Sequence, residues 1–211
     1  MQLTFLEAVN LVLRELGETP VTSVDETYPT LAQILPAMED ARRNTLAEGW
    51  WFNSFDDFTA SPSPAGEVLL SEDTLAFYPD DVEKFTWAGR YVRVTGTGSK
   101  VVGAPVKGRV VLDIPYDELP EGMRYLVVYR CAYEVYVADF GADSTAQVIA
   151  NKMSAAYVEV RAVHIRQRKL TLRKRTPATS GVKRGTTNEL LCRIVPAAPV
   201  WRKSTDCQGS P

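Results

Sequence analysis

Histidine occurs once in this chain of 211 residues, at position 164, and cysteine three times, at 131, 192 and 207. The lone histidine lies on a helical stretch beside basic residues and reads as a surface or packing residue. It leaves no Ser-His-Asp, Cys-His or two-histidine metal arrangement. The cysteines lack C-x-x-C spacing, which argues against a zinc site. Their odd number and wide separation argue for reduced thiols in a cytoplasmic setting rather than a disulfide framework. Cys131 falls in an apolar helical pattern and reads as a small core residue. No apolar run approaches the roughly 20 residues a membrane helix needs. The N-terminus has no basic region, apolar run or small-residue cleavage site of the secretory kind. Gly96-Thr97-Gly98-Ser99-Lys100 lacks the spacing of a phosphate-binding loop and is followed by a strand-like stretch, so it reads as a hairpin turn.

What is present is ordinary in amount and uneven in placement. Hydrophobic residues make up 45% and charged residues 24%, as in soluble globular proteins. The length allows one good-sized core or two small ones sharing an interface. The net charge of −2 hides a division: residues 1–160 hold 12 Lys+Arg against 24 Asp+Glu, a net of −12, while residues 161–211 hold 12 against 2, a net of +10. An acidic body with a basic tail suggests self-association, or a tail docked on an acidic partner or on phosphates.

The first helix is expected from Thr4, with Glu7 at capping-box spacing. Phe5, Val9, Val12 and Leu16 form its stripe, and Gly17 stops it. A second helix is expected over about Thr30 to Glu48, with Leu31, Leu35, Met38, Thr45 and Leu46 inward and Arg42 a charged exception among them. Pro36 predicts a kink, or a start near that position.

The stretch Gly49-Trp50-Trp51-Phe52-Asn53 is the expected hinge. Gly49 sits where a helix stops, because glycine enters the left-handed conformation without a Cβ penalty. In an extended segment adjacent side chains point to opposite faces. One indole would then anchor the helical layer, and the other would pack against the second layer or a partner. Both also fit as plain core aromatics at a domain junction. Trp51→Ala is expected to loosen the junction, costing roughly 3–5 kcal/mol if the ring is buried.

Short β-like runs follow: Val68 to Leu70, Thr74 to Phe77, Phe85 to Trp87, Tyr91 to Thr95, Lys100 to Val102 and Arg109 to Ile114. They predict a small antiparallel sheet or open barrel. Helical periodicity returns at Pro120 and runs to Phe140, with Tyr125, Val128, Tyr129, Ala132, Val135 and Tyr136 on the apolar face. Ser144 or Thr145 is expected to cap a last helix with Ile149, Met153, Ala156, Val160, Val163 and Leu170 inward. After Pro177 the chain is rich in Gly, Pro, Thr and Ser, with an apolar island at Leu190 to Val195.

The fold expected is α+β: a discontinuous four-helix bundle from N- and C-terminal helices, an inserted small antiparallel β domain, and an extended basic C-terminal arm. The boundaries are 1–53 for the first half of the bundle, 54–115 for the β domain, 116–175 for the second half and 176–211 for the arm.

Three readings of chemistry remain open. Asp56-Asp57, Glu72-Asp73 and Asp80-Asp81 invite a two-carboxylate glycan hydrolase, although acidic pairs are also common turn formers. The basic residues Arg166, Arg168, Lys169, Arg173, Lys174 and Arg175, then Lys183 and Arg184, offer phosphate contacts, but without interleaved aromatics or a reading motif. The same cations, with Leu190, Leu191, Ile194 and Trp201 as apolar anchors, suit an arm that docks on another protein.

Several blocks, in order, are similar to the tail tubular protein A family, the head-to-tail adaptors of short-tailed bacteriophages. They are Ala8 to Leu13, Leu16-Gly17-Glu18-Thr19-Pro20-Val21, Ala41-Arg42-Arg43, Gly49-Trp50-Trp51-Phe52-Asn53, and Tyr116-Asp117-Glu118-Leu119-Pro120 with Arg124-Tyr125. The resemblance implies a structural virion protein, made in the host cytoplasm: a ring of twelve copies between portal protein and tail nozzle protein. The bundle and C-terminal segment would face the portal and neighbouring copies, and the β domain the nozzle. Genomic DNA would pass through the channel unread. It implies no enzyme activity and no catalytic, cofactor-binding or metal-ligating residues. An acidic bundle beside a neighbour's basic arm would be a fitting subunit contact.

Overall fold

Helices occupy both ends of the described chain and short strands its middle, in the computed structural model, which describes residues 3–24 and 28–175, with side chains as far as Arg168. The elements are α1 (Phe5–Glu15), α2 (Pro29–Leu46), β1 (Ser54–Ala60), β2 (Val68–Leu69), β3 (Thr74–Pro79), β4 (Phe85–Ala88), β5 (Tyr91–Val94), β6 (Val106–Leu112), a 3-10 turn (Tyr116–Glu118), α3 (Glu121–Phe140) and α4 (Ser144–Arg175). The fold is α+β, as expected. The expected arm over 176–211, with Leu190, Leu191, Ile194 and Trp201, lies outside the described residues.

Local sequence explains most helix ends. Thr4 caps α1 by accepting from the Glu7 amide at 3.3 Å, and the Glu7 carboxylate accepts from the Thr4 amide at 2.8 Å. This reciprocal pair satisfies two of the donors a helix start leaves open. Gly17, at φ +79°, ends the helix. The Glu18 amide then reaches back to the Leu13 carbonyl at 2.9 Å.

α2 begins at Pro29 and runs through Pro36, so the alternative start near Pro36 is not used. Pro36 and Ala32, one turn earlier, both lie on the exposed side, where water can reach the carbonyl that proline leaves without a donor. The cap of α4 is Asp143, not Ser144 or Thr145: its Oδ1 accepts from the Ala146 amide at 2.8 Å. A carboxylate at this position also meets the positive end of the helix dipole.

α3 packs against α1, α2 and α4, and this central place corrects its expected apolar face. Met123, Leu126, Val127, Val128, Cys131, Ala132 and Val135 are buried, whereas Tyr125, Tyr129 and Tyr136 sit half-buried at the margin. A helix covered on three sides buries more than one stripe. Cys131 is fully buried, and burial pushes its thiol up to about 12. On α4 Ile149, Ala156 and Val160 are buried, as expected, together with Ala146, which was not among the expected positions; Met153 and Val163 are half-buried, and the Leu170 side chain lies outside those described.

The strands form two three-stranded antiparallel sheets, ordered β1-β6-β3 and β2-β5-β4. β1 was not anticipated from the sequence. Only its two ends are buried, and the pairing slips between Phe55 and Phe58, where Asp57 takes φ +63°. A bulge of this kind breaks the two-residue period by which strands are recognised. Val101 makes only a single bridge, to Glu67, so Lys100 to Val102 is not a strand. The last strand lies at Val106–Leu112 rather than Arg109 to Ile114.

Two hydrophobic clusters result. One gathers residues of all four helices with Trp50, Tyr116 and Leu119. The other, smaller, gathers Ala60, Val68, Leu70, Phe77, Val92, Val106 and Val110 from both sheets.

Candidate functional site

The segment between α2 and β1 is where helices and sheet are fastened together. Gly49 takes φ +76° and ends α2, as its residue type predicts. A Cβ on it would lie 2.5 Å from Arg109 Nη2 and 3.2 Å from a methyl of Val111. Glycine is therefore required for its backbone angle, while a Cβ would displace the Arg109 guanidinium from its place against the Gly49 carbonyl. Residues 51–53 form a turn, not the extended segment assumed above. The two indoles therefore do not point to opposite layers: both approach the ring of His164 on α4, with centroids at 5.6 Å for Trp50 and 6.3 Å for Trp51.

Their environments still differ. Trp50 is 4% exposed. Its Nε1 donates to the Thr45 carbonyl at 2.8 Å, and its ring meets Tyr157 edge-on at 5.9 Å. Trp51 is half-buried and packs edge-on against Phe52 at 5.0 Å. Trp50 is thus the anchor of the helical core.

Asn53 is fully buried and is the polar centre of the junction. Its Oδ1 accepts from the Trp50 amide at 2.8 Å. Its Nδ2 donates to Leu46 O at 3.0 Å, at the end of α2, and to Leu112 O at 2.9 Å, at the end of β6. One side-chain amide therefore closes the turn and joins a helix end to a strand end. Only an amide presents an acceptor and two donors in this arrangement.

Two arginines reinforce the same connection. Arg42, 8% exposed on α2, donates to both carboxylate oxygens of Asp113 and to the Ile114 carbonyl just beyond β6, and its Nε and Nη2 bond Glu39 at 3.0 and 2.6 Å. The guanidinium hydrogen bonds hold the Glu39 carboxyl below the usual carboxylate range. Arg43 adds a second cation 3.4 Å from Asp113. Arg109, on β6, donates from Nε to Ser54 Oγ at 2.6 Å and from Nη2 to the Gly49 carbonyl at 3.0 Å. Arg168 on α4 reaches the same Ser54 hydroxyl at 3.2 Å.

His164 stands inside this cationic group, and its Nδ1 is buried with no hydrogen-bond partner among the described residues. Burial, then Arg168, Arg109 and Arg161, lower its pKa from the ordinary 6.5. It is a packing residue between two indoles, as its position in the sequence implied.

A second buried arginine lies outside the residues that the sequence marks for a structural role. Arg124 of α3 is 4% exposed and donates to Leu119 O at 2.9 Å, Leu3 O at 2.7 Å and the Asp117 carbonyl. It ties the N-terminal segment to the start of α3. The available signal was an arginine at an inward helical position, since charged residues are almost never buried unpaired.

The acidic pairs meet local partners. Asp56 lies 3.8 Å from Arg109, Glu72 pairs with Arg90 at 2.6 Å, Asp73 bonds Ser71, and Asp81 pairs with Lys84 at 2.8 Å. The Lys84 hydrogen bond lowers the Asp81 pKa. Among the described residues no cluster of His, Cys, Asp and Glu could hold a metal ion. No described helix is long and apolar enough to cross a membrane. Among the described residues Arg166 donates to the Ala162 carbonyl of its own helix, at 3.2 Å. Lys169, Arg173, Lys174 and Arg175 lie on the last turns of α4, with side chains beyond those described.

The arrangement is mechanical: hydrogen bonds and ion pairs lock the end of α2 to β6 and bring α4 onto β1. A family model described as tail tubular protein matches residues 6–170, a span that includes both helical segments and the strands between them. The chain is 26% identical over 170 residues to tail tubular protein A of Klebsiella phage KP34, covering 80% of this chain and 91% of that protein.

Proposed function

Because the chain belongs to the tail tubular protein family, a structural component of the phage tail, we propose that it is the adaptor ring between the portal and the tail nozzle of a short-tailed phage. In this reading residues 1–53 and 116–175 form a discontinuous helical bundle on the portal side, and residues 54–115 a β domain on the nozzle side. Residues 176–211 are a basic arm that contacts portal or neighbouring copies. Gly49 to Asn53 hold the angle between the two layers. The chain works by assembly rather than catalysis, as one of twelve copies that leave a channel for genomic DNA.

The observation that carries this reading is the family match across both layers and the junction joining them. The junction supports it mechanically. A part that transmits load between head and tail needs its layers fixed, and Asn53, Arg42 and Arg109 each bond both sides. The divided charge supports association of unlike surfaces. The acidic pairs give no support to a glycan hydrolase, because each lies beside local cations or turn hydroxyls.

Electron microscopy of the purified chain mixed with its portal protein tests the proposal. Rings stacked coaxially on the portal are the expected result. A chain that neither binds portal rings nor assembles on them at any concentration overturns it. A monomer seen in the absence of portal does not, since a partner can drive assembly by mass action.

A further inference from the structure

Tyr125 and Tyr129, one turn apart on α3, are stacked with centroids 6.5 Å apart and planes at 25°. They form the shared wall of two clefts, of about 580 and 530 Å³. The first is also lined by Gly122, Ala155 and Ala156, small residues that leave room for a long side chain at the α3–α4 seam. The second is lined by Leu3, Leu11 and Pro20 beside α1. Exposed carboxylates complete the linings, Glu121 and Glu159 at the first and Glu7 and Glu18 at the second.

At the first cleft the cation Lys152 is occupied, bonding both carboxylate oxygens of Glu15 at 2.7 and 2.8 Å; the second cleft is also lined by Arg14, so the first carries the more acidic lining. Glu7 is engaged in the α1 cap, but Glu18, Glu121 and Glu159 make no ion pair among the described residues. Aromatic faces between unpaired carboxylates are what an arginine-bearing segment binds, through cation–π contact and charge-assisted hydrogen bonds.

The same chain carries such a segment. Residues 161–175 hold seven Lys or Arg and no Asp or Glu, and all lie on α4. Within it Ile165 is 43% exposed. A helix end with an exposed apolar side chain among arginines matches tyrosine-lined clefts that carry exposed carboxylates.

We infer that the clefts around Tyr125 and Tyr129 receive the arginine-rich end of α4 from a second copy of this chain. The contact cannot be made within one molecule. Glu159 of the acceptor face and Arg173 of the donor end lie on the same helix, about 21 Å apart at 1.5 Å per residue. A continuous helix does not fold back on its own side. The second copy is favoured over a foreign cation because each chain holds both halves of the pair, −12 in residues 1–160 and +10 in residues 161–211. Donor and acceptor are different surfaces, so the contact is heterologous and propagates into a closed ring or a filament. It rests on the proposed function only in that copies of the chain associate.

Crosslinking locates the contact directly. The full chain is prepared with a photoreactive benzophenone amino acid in place of Tyr129, in light and isotope-labelled forms, then mixed, irradiated at increasing concentration and digested. Mixed-isotope crosslinks from position 129 to residues 161–175 are expected. Crosslinks only to other segments, or none at the highest concentration, overturn the inference.

A charge exchange provides the second measurement. Glu121→Lys with Glu159→Lys, or Arg166→Glu with Arg173→Glu, should each weaken association about tenfold or more at low salt. The four changes in one chain should restore it. Wild-type affinity in either double variant would overturn the contact. Association through this surface without portal binding would leave the inference standing and remove the adaptor reading. Portal binding with unaltered association in the double variants would do the reverse.

Discussion

The helical and β regions of this protein are held together by different means. In the helical region one cluster buries 23 residues, among them Leu13, Leu31, Ile34, Met38 and Met123. In the β region the corresponding cluster buries only seven, while Phe55, Phe58, Leu69 and Tyr78 remain exposed. At about 25 cal/mol per Å² of apolar surface removed from water, the helical cluster has by far the larger driving force. The sheets also contain two register slips, and strands this short gain little from their own pairing. The β region therefore depends on its fastening to α2 and α4. Burial stabilises one half, and directional bonds at Asn53, Arg42 and Arg109 position the other.

The strongest way to break this comparison is Asn53→Asp. The change keeps the shape but turns a two-proton donor into a carboxylate facing the Leu46 and Leu112 carbonyls in a fully buried site. A loss on the order of 3–5 kcal/mol is expected from an unpaired buried charge. Amide exchange should show β6 and β1 losing protection before α1 and α3. Uniform loss across both regions would mean that the sheet does not depend on the junction.

Trp50→Ala comes next, with about 3–5 kcal/mol lost in denaturant unfolding as a buried aromatic is replaced by a cavity. The figure expected from the sequence for Trp51 belongs to Trp50. Trp51, half-buried, should cost about 1–2 kcal/mol on partial apolar exposure. Equal effects of the two substitutions would contradict the difference in their burial.

Gly108→Ala tests the β region alone. Its Cβ would collide with the Tyr78 carbonyl and lie 2.8 Å from Pro79 Cα, on the neighbouring strand β3. Backbone there cannot give way as a side-chain end can, so a loss of about 1–3 kcal/mol is expected. Chemical-shift changes should be confined to β1, β3 and β6.

The smallest effect is a pH dependence at His164. Its folded-state pKa lies below the ordinary 6.5, because burial and then Arg168, Arg109 and Arg161 oppose the imidazolium. The stability this contributes is complete above pH 6.5 and is lost as pH falls through the lowered folded-state value, where protonation favours the unfolded chain. His164→Phe should remove that step from a plot of melting temperature against pH, while keeping the ring contacts with Trp50 and Trp51. An unchanged acid limb in the variant would assign the dependence to other groups.

Helices were legible where periodicity and caps agreed. Thr4 with Glu7, Gly17, Gly49 and Gly141 each marked an end by a local conformational rule, and Ile149, Ala156 and Val160 of α4 followed from spacing alone. Legibility failed where the reason was non-local. β1 breaks its alternation at Asp57, where its pairing with the distant strand β6 slips in a bulge. The tyrosines of α3 read as core, yet lie at the margin because three helices compete for that surface. At the junction, the sequence marked Gly49 to Asn53 as a hinge, but not Arg109 or Ser54, whose roles arise from chain segments 55 residues apart meeting at 2.6 Å.

By itself the sequence determined the α+β order of elements, the divided charge, the helix stops and the family resemblance that the comparisons bear out. These are properties of short-range spacing, residue type and composition. Only the tertiary structure decided that Trp50 rather than Trp51 enters the helical core, and that Asn53 bonds a helix end and a strand end together. It also brought both indoles against His164. Each of these depends on which distant backbone groups arrive at one place with unsatisfied donors or acceptors, and that follows from the folded chain as a whole.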